Sequence, residues 1–262
     1  NVPRGNDEEQ SPPALSERNG QAVPARGNGY IQSVDNAALL RLAREHQTIV
    51  RMERGIGDFA VRHTPLVSLA LKDPPTKEMI AALQSAYKIE RHRTLEQDSA
   101  FGIRQIVDIA LRALSASTND TTTAVMCVDY LTAILSQLAA KNVPSSHRFE
   151  NGELRVIAVG PTFERLVTES FDQIRGSAGG NTGIMLRILD GLQTIGSLTA
   201  DPGRRRALRE QVEWIAELAE RTIASPHDRA QVESRLARVR DALPTEPVLG
   251  FVQPPNAGQS VS

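Results

Sequence analysis

Cys127 is the single cysteine in 262 residues. An intrachain disulfide and any paired-cysteine metal site are thereby excluded, and a reducing compartment fits. Aromatic residues make up 4% of the chain, too few for a platform of stacked bases. Lysine is scarce too, with 4 among 30 basic residues against 26 arginines. Such a bias suits phosphate recognition, but base composition of the genome explains it more simply. No charge of one sign dominates: the formal net charge is -1. A field that would draw in nucleic acid or an acidic membrane surface is absent, so no nucleic-acid partner is expected. No unbroken apolar run reaches the roughly 18 residues that a membrane-crossing helix needs. The best stretches, Ile103 to Leu114 and Tyr130 to Ala140, are short and interrupted by polar residues. The opening "NVPRGNDEEQSPPALSERNG" has no apolar middle and does not read as a signal peptide. The chain as it stands is expected to be soluble.

With 40% hydrophobic and 23% charged residues, the composition is that of a globular protein long enough for a sizeable core. The expected fold is α+β, mainly α: a small β-hairpin or half-barrel region followed by a helical domain. Residues 1–28 are rich in Pro, Gly, Asn and charge and read as a disordered arm, and residues 243–262 repeat that composition as a tail. The β region spans residues 29–72. It opens on the alternating "GYIQSVD", continues through a short helix capped by Asp35 with Leu39, Leu40, Leu42 and Ala43 inward, and then "TIVRMER" and "FAVRHTPLVSLA" around a "GIGD" turn. Residues 73–242 form the mainly helical domain. Its helices are a first one behind Thr76, a main one over Leu95 to Leu114, another over Thr121 to Ala140, and four more over about 162–175, 182–197, 203–223 and 227–242. One hairpin interrupts them near 147–159, where Asn151-Gly152 is the strongest turn signal in the chain.

Chemistry concentrates in "RTLEQDSAFGIRQIVDIALRALSASTND". At 100° per residue, Arg93, Gln97, Arg104, Asp108 and Arg112 fall near one helix face. Asn119 and Asp120 follow at the start of the next helix, where backbone N–H groups favour an anion. These seven residues are the candidate ligand-binding set. A solvated i,i+4 ladder is the plain reading of Arg104, Asp108 and Arg112. The apolar residues around this helix argue instead for a largely buried polar network pinned against the "SASTND" turn. Elsewhere the signals fail. "GSAGGNTG" lacks the Lys-Ser/Thr of a phosphate loop, and the five histidines have no metal-ligand spacing, so no metal is expected. No nucleophile elbow occurs, Cys127 reads as a core residue, and "GRRRALRE" is too short to bind nucleic acid alone.

"GYIQSVD…LLRLA", "GDF…PL", "RTLEQDSAFGIRQIVDIALRALS" and "NDTTTA" resemble an uncharacterised bacterial family of predicted membrane proteins, domain of unknown function twenty-two fifty-four, from about Gly29 to Asp241. The resemblance implies transmembrane helices N-terminal to this part and outside this chain. It implies a parent in the cell membrane with this soluble portion on the cytoplasmic side, and it leaves homo-oligomerisation open. The family pattern reads Asn-Asp-Pro where this chain has Asn119, Asp120 and Thr121. Separately, Gly29 to Leu69 is similar to half of a biotinyl/lipoyl-type hairpin barrel, matching at Gly57-Asp58-Phe59 and Pro65-Leu66, with His63 where such hairpins have glycine. No lysine precedes Lys72, so the modified residue is missing and no cofactor is expected. The resulting expectation is a non-enzymatic regulatory, assembly or ligand-sensing domain of a membrane protein. The alternative is an anion-binding or catalytic domain with the Arg/Asp/Asn cluster at a helix-turn-helix junction.

Overall fold

The computed structural model describes residues 20–141 and 146–244. In chain order its elements are β1 (Gln21–Pro24), β2 (Gly29–Val34), α1 (Asn36–Glu45), β3 (Val50–Met52), β4 (Phe59–Ala60), β5 (Pro65–Leu69), α2 (Lys77–Ser85), β6 (Tyr87–Glu90) and α3 (Ser99–Ala113). Then come α4 (Thr121–Ala140), β7 (His147–Glu150), β8 (Glu153–Ile157), α5 (Phe163–Ala178), α6 (Thr182–Ser197), α7 (Pro202–Thr222) and α8 (Pro226–Ala242). The fold is α+β and mainly α. Among the described residues it divides into one unit of residues 20–102 and 146–161 and a second of residues 103–141 and 162–244, so the division falls inside α3.

The first unit holds both sheets. One is five-stranded in the order β1-β5-β3-β8-β7, and the other is three-stranded, β4-β2-β6. All pairs are antiparallel except β3 with β8, which run parallel with Val50 opposite Val156 and Arg51 opposite Ile157. Alternation sets the faces: Val50 and Met52 are buried while Arg51 between them is not. Val23, Ile31, Leu39, Val50, Leu66, Val67, Leu69 and Leu83 are all at most 1% exposed and form one core with Val156. Side chains buried to this degree contribute about 1.5–3 kcal/mol each. The hairpin of β7 and β8 turns on Asn151 and Gly152, both with positive φ (52° and 79°), as the sequence predicts.

Several expected boundaries move. Residues 20–28 belong to the fold, not to an arm: β1 pairs with β5, and Val23 and Ala25 are buried at 0% and 2% exposure. The rest of the expected arm, 1–19, lies outside the described residues. The tail expected from 243 begins one residue inside the fold, because Leu243 is 1% exposed and packs over Gly196 of α6; residues 245–262 lie outside the described residues. The segment 29–72 is not a self-contained half-barrel. Its strands are split between two sheets, β2 and β4 pairing with β6, and β3 and β5 pairing with β1 and β8. The hairpin near 147–159 and α2 likewise belong with this β unit rather than with the helices. Strand edges have unpaired donors and acceptors that any compatible strand can meet, so partners distant in sequence complete the sheet. His63, at the expected glycine position, adopts φ 69° in the tight link between β4 and β5.

The second unit is a helical assembly centred on α6, which packs on α4, α5, α7 and α8. Ile184, Met185, Ile188, Leu189, Leu192 and Ile195 of α6 are all 0% exposed. A Cβ on Gly191 would collide with the Thr132 hydroxyl of α4, so the glycine lets these two helices approach closely. Side chains cap the starts: Asp120 for α4, Thr162 for α5, Asn181 for α6, Asp201 for α7 and Ser225 for α8. Arginines close several ends. Arg204 donates to the Ala139 and Lys141 carbonyls (2.8 and 3.1 Å), Arg209 to those of Arg240 and Leu243 (2.8 and 3.0 Å), and Arg229 to that of Ile223 (2.7 Å). Part of the arginine bias therefore satisfies the carbonyls that helix C-termini leave unpaired.

Candidate functional site

The most enclosed charge in the first unit is Asp98, 4% exposed. Arg93 grips it with two bonds, Nε to Oδ2 at 2.8 Å and Nη2 to Oδ1 at 2.9 Å. Asp98 Oδ1 also accepts from the backbone N–H of Phe101 at 2.9 Å, so the same carboxylate caps α3. The Arg93 guanidinium lies over the Phe101 ring, 5.0 Å from its centroid. The Gly55–Asp58 turn closes against this pair. Asp58 Oδ2 accepts from the N–H of Gly55 (2.8 Å), and the turn is bonded to β2 through Gly57 N to Ile31 O (2.8 Å) and Ile31 N to Asp58 O (3.0 Å). Gly57 has φ +88°, and a Cβ there would stand 2.7 Å from both Arg93 Nη2 and Asp98 Oδ2. Two demands thus select glycine: a left-handed backbone and direct contact with the ion pair. Chemically the arrangement is a clamp that holds the "GIGD" turn and the start of α3 together.

The structure divides the seven candidate residues among several places. Arg93 is in the clamp, and Gln97 lies nearby with its Oε1 3.4 Å from the N–H of Val34. Arg104 and Asp108 form an i,i+4 pair at 2.8 Å with side chains 45% and 41% exposed, and Arg112 is exposed in the last turn of α3. The buried network expected of these three is thus corrected to one solvated pair, Arg104 with Asp108, beside an exposed Arg112. The inward stripe of α3 is Ile103, Val107, Ala110 and Ala113. Arg104 and Asp108 each follow a stripe residue by one position, about 100° round the helix, which turns them outward. Asn119 is exposed with φ 47° and donates its N–H to the Ser115 carbonyl at 2.9 Å, ending the helix rather than facing a ligand. The hydroxyls around it bond locally: Ser115 Oγ donates to the Arg112 carbonyl (2.8 Å) and meets Ser117 and Thr118.

Asp120 spends both oxygens on Thr123, Oδ1 on its N–H (3.0 Å) and Oδ2 on its hydroxyl (2.5 Å). The Thr123 hydroxyl, its N–H and that of Thr122 hold the Asp120 carboxyl below the usual aspartate range. Thr121 has a partner of its own: Asn181 Nδ2 donates to its hydroxyl at 3.2 Å while Asn181 Oδ1 caps α6. A proline at 121 would lack that hydroxyl, so Thr121 ties the starts of α4 and α6 together.

The description "Predicted membrane protein (DUF2254)" belongs to a family whose model matches residues 2–194. The chain is a member of that family. An uncharacterized protein of Mycobacterium tuberculosis strain H37Rv is 32% identical over 241 residues, covering 89% of this chain and 45% of that protein. Another from Mycobacterium bovis has the same identity and coverage. A third, from Mycobacterium tuberculosis strain CDC 1551, is 31% identical over the same length. The chain spans less than half the length of these relatives. No solved structure matches it.

Membership of a membrane family directs attention to α4. It is 20 residues long and holds an 18-residue window of mean hydropathy 1.4, enough by length and composition alone to cross a membrane. Scattered Thr, Ser and Gln and Asp129 break the apolar run, as expected, without lowering its mean far, and a core helix has the same composition. Here Ala124, Cys127, Val128, Leu131, Leu135 and Ala139 face inward, and α6 packs along the helix. Met126 and Tyr130 on the outward side are 51% and 62% exposed. Burial pushes the Cys127 thiol up, away from the thiolate that nucleophilic chemistry needs. Among the described residues no group of three or more His, Cys, Asp or Glu is placed to hold a metal ion.

The residue that sequence reading missed is Asp98. Its signal was present: Asp followed by "SAFGI" is an N-cap pattern. Extending the helix back to Leu95 placed Asp98 inside the helix instead of at its start.

Proposed function

We propose that this chain is a regulatory, assembly or ligand-sensing portion of a membrane protein, attached through transmembrane helices outside the chain and lying on the cytoplasmic side. One observation carries the preference over catalysis. Most polar residues of the Arg93–Asp120 stretch are taken up within the fold, Arg93 by Asp98, Asp120 by Thr123 and Asn119 by the turn after α3, while Arg104 and Asp108 pair in solvent. An anion site at the α3–α4 junction would need those donors convergent and the helix start uncapped, and the α4 cap is occupied. Family membership supports the membrane attachment.

The reading is tested by a thermal-shift screen of the chain against metabolites, with substrate loss followed in the same wells. A ligand that binds the folded form raises the melting temperature. A shift without turnover is expected; turnover of a screened compound overturns the reading. For the side of the membrane, protease added outside intact cells that express the full-length protein should leave this portion uncut. Cleavage there would place it outside.

A further inference from the structure

In the second unit, α4 presents a face that no described element covers. Only 33% of its most apolar stretch is buried, whereas a helix this apolar is mostly inside when it belongs to a core. Thr122, Met126, Tyr130, Ala133 and Gln137 are all exposed, Met126 by 51% and Tyr130 by 62%. At 100° per residue these five fall within about 80° of arc, opposite the stripe of α4 that packs inward. The stripe has no charged member. Methionine and tyrosine are enriched at interfaces, and tyrosine is among the residues that dominate their energy.

A lipid surface and a protein are the two coverings that suit such a face. Helices that lie on lipid are rich in Lys and Arg beside their apolar side, and α4 contains neither. Its stripe is instead nearly symmetric about its middle. An antiparallel pairing of two copies, centred between Asp129 and Tyr130, sets Met126 of each opposite Ala133 of the other, a large side chain over a small one. The Thr122 hydroxyl then faces the Gln137 amide, which can bond to it. A two-fold axis makes the interface self-complementary and returns each flank of the helix to the same flank of its mate. On one flank Tyr130 therefore meets Tyr130 of the second copy, the geometry of an offset stack. On the other, Asp129 is paired with Arg187 of α6, both side chains nearly half exposed. Two such pairs side by side alternate in sign, so each carboxylate gains a second guanidinium. The stripe is about 30 Å long and roughly 10 Å wide, on the order of 300 Å² per copy, against about 800 Å² per partner in a stable complex. Association through it is therefore weak between free copies. Anchoring two copies in one membrane strengthens it, because tethering raises the effective concentration to about millimolar.

We propose that the outward face of α4 is a homodimer seam, antiparallel about Asp129 and Tyr130, through which anchored copies of the parent protein associate. The proposal rests on the assembly reading above and names its surface and its partner, a second copy of this chain.

The test is sedimentation of the chain over a concentration series up to about 1 mM, the effective concentration that tethering supplies. A reversible rise from the mass of one chain toward that of two is expected. Ala133→Glu and Tyr130→Ala should each weaken the association at least tenfold and leave the melting temperature of the dilute chain unchanged, since both side chains are exposed. Asp129→Arg and Arg187→Asp should each weaken it severalfold, and the two together should restore it. Orientation is read by cross-linking in a Cys127→Ala background. Chains with Met126→Cys, mixed with chains with Ala133→Cys and mildly oxidised, should form a disulfide dimer. Neither should form one alone, because in the antiparallel seam like positions stand about 10 Å apart along the helix, beyond the roughly 7 Å that a disulfide spans. A chain monomeric throughout the series overturns the proposal, as does a dimer that Ala133→Glu and Tyr130→Ala leave unchanged, or cross-linking of each cysteine variant with itself. Co-sedimentation with phosphatidylcholine–phosphatidylglycerol vesicles that Ala133→Glu abolishes overturns it in favour of a lipid face. Each of these failures removes the seam alone, whereas turnover in the screen removes the reading on which it rests.

Discussion

Arg93→Ala is the most informative single perturbation of the clamp. It removes two charge-assisted bonds of 2.8 and 2.9 Å from a carboxylate whose side chain is 3% exposed. What remains to Asp98 is the Phe101 N–H, one bond at 2.9 Å for a full negative charge. Breaking a fully buried pair costs about 3–5 kcal/mol, because the surviving charge is stranded. Arg93 is itself 24% exposed, so water partly screens the pair and the expected loss is nearer about 2–4 kcal/mol. The lost stacking on Phe101 adds to this, about 0.5–1 kcal/mol at a site of that exposure. Urea denaturation followed by circular dichroism measures the total. Trp214, the only tryptophan, lies on α7 of the second unit and reports that unit separately. Hydrogen exchange should show the loss locally, with faster exchange at the N–H groups of Ile31, Gly57 and Phe101. A loss below about 1 kcal/mol, the range of exposed pairs, would refute the reasoning and reduce Asp98 to an ordinary helix cap. A double-mutant cycle with Asp98→Ala isolates the pair itself, and the coupling should exceed half the single-mutant loss.

Asp108→Ala should cost no more than about 0.5 kcal/mol by the same denaturation assay, since its pair with Arg104 is a solvated i,i+4 contact. Gly191→Ala should lose about 1–3 kcal/mol through its clash with Thr132, although alanine is the better helix former. In a Thr132→Ala background the same change should become neutral or gain up to about 1 kcal/mol; continued loss would show that the helix spacing has another cause. Glu213 is hydrogen-bonded by Arg240 and Arg209, which hold its carboxyl below the usual 4.5 despite partial burial. Because the folded value is depressed, its stabilisation is complete above 4.5 and disappears as pH falls through the folded value. The stability difference between the parent and Glu213→Gln should thus be largest near neutral pH, shrink in acid, and stay below about 1 kcal/mol at a surface site.

What the sequence by itself determined are the features whose cause lies within a few residues. Asp35, Thr76 and Asp120 cap the helices that follow them because each carboxylate or hydroxyl reaches an N–H three residues on. Asn151-Gly152 turns the hairpin because these two residues tolerate positive φ. The stripe from Leu208 to Leu218 marks α7 because helical period and apolar spacing coincide. The membrane family was legible because its motifs are long. Only the tertiary structure decided the rest. β1 and β6 are too short to be recognised alone; each exists because a strand elsewhere in the chain, β5 or β2, satisfies its backbone groups. Arg104 and Asp108 have the same side chains in the helix pattern whether buried or exposed, and which face of α3 packs inward turned them to solvent. Asp98 and Gly57 are distant in sequence, and only folding brings the turn onto the ion pair that excludes a Cβ. Caps and turns depend on bonds that close locally, whereas strand partners, burial and close approach depend on which segments meet, and that is settled by the packing of the whole unit.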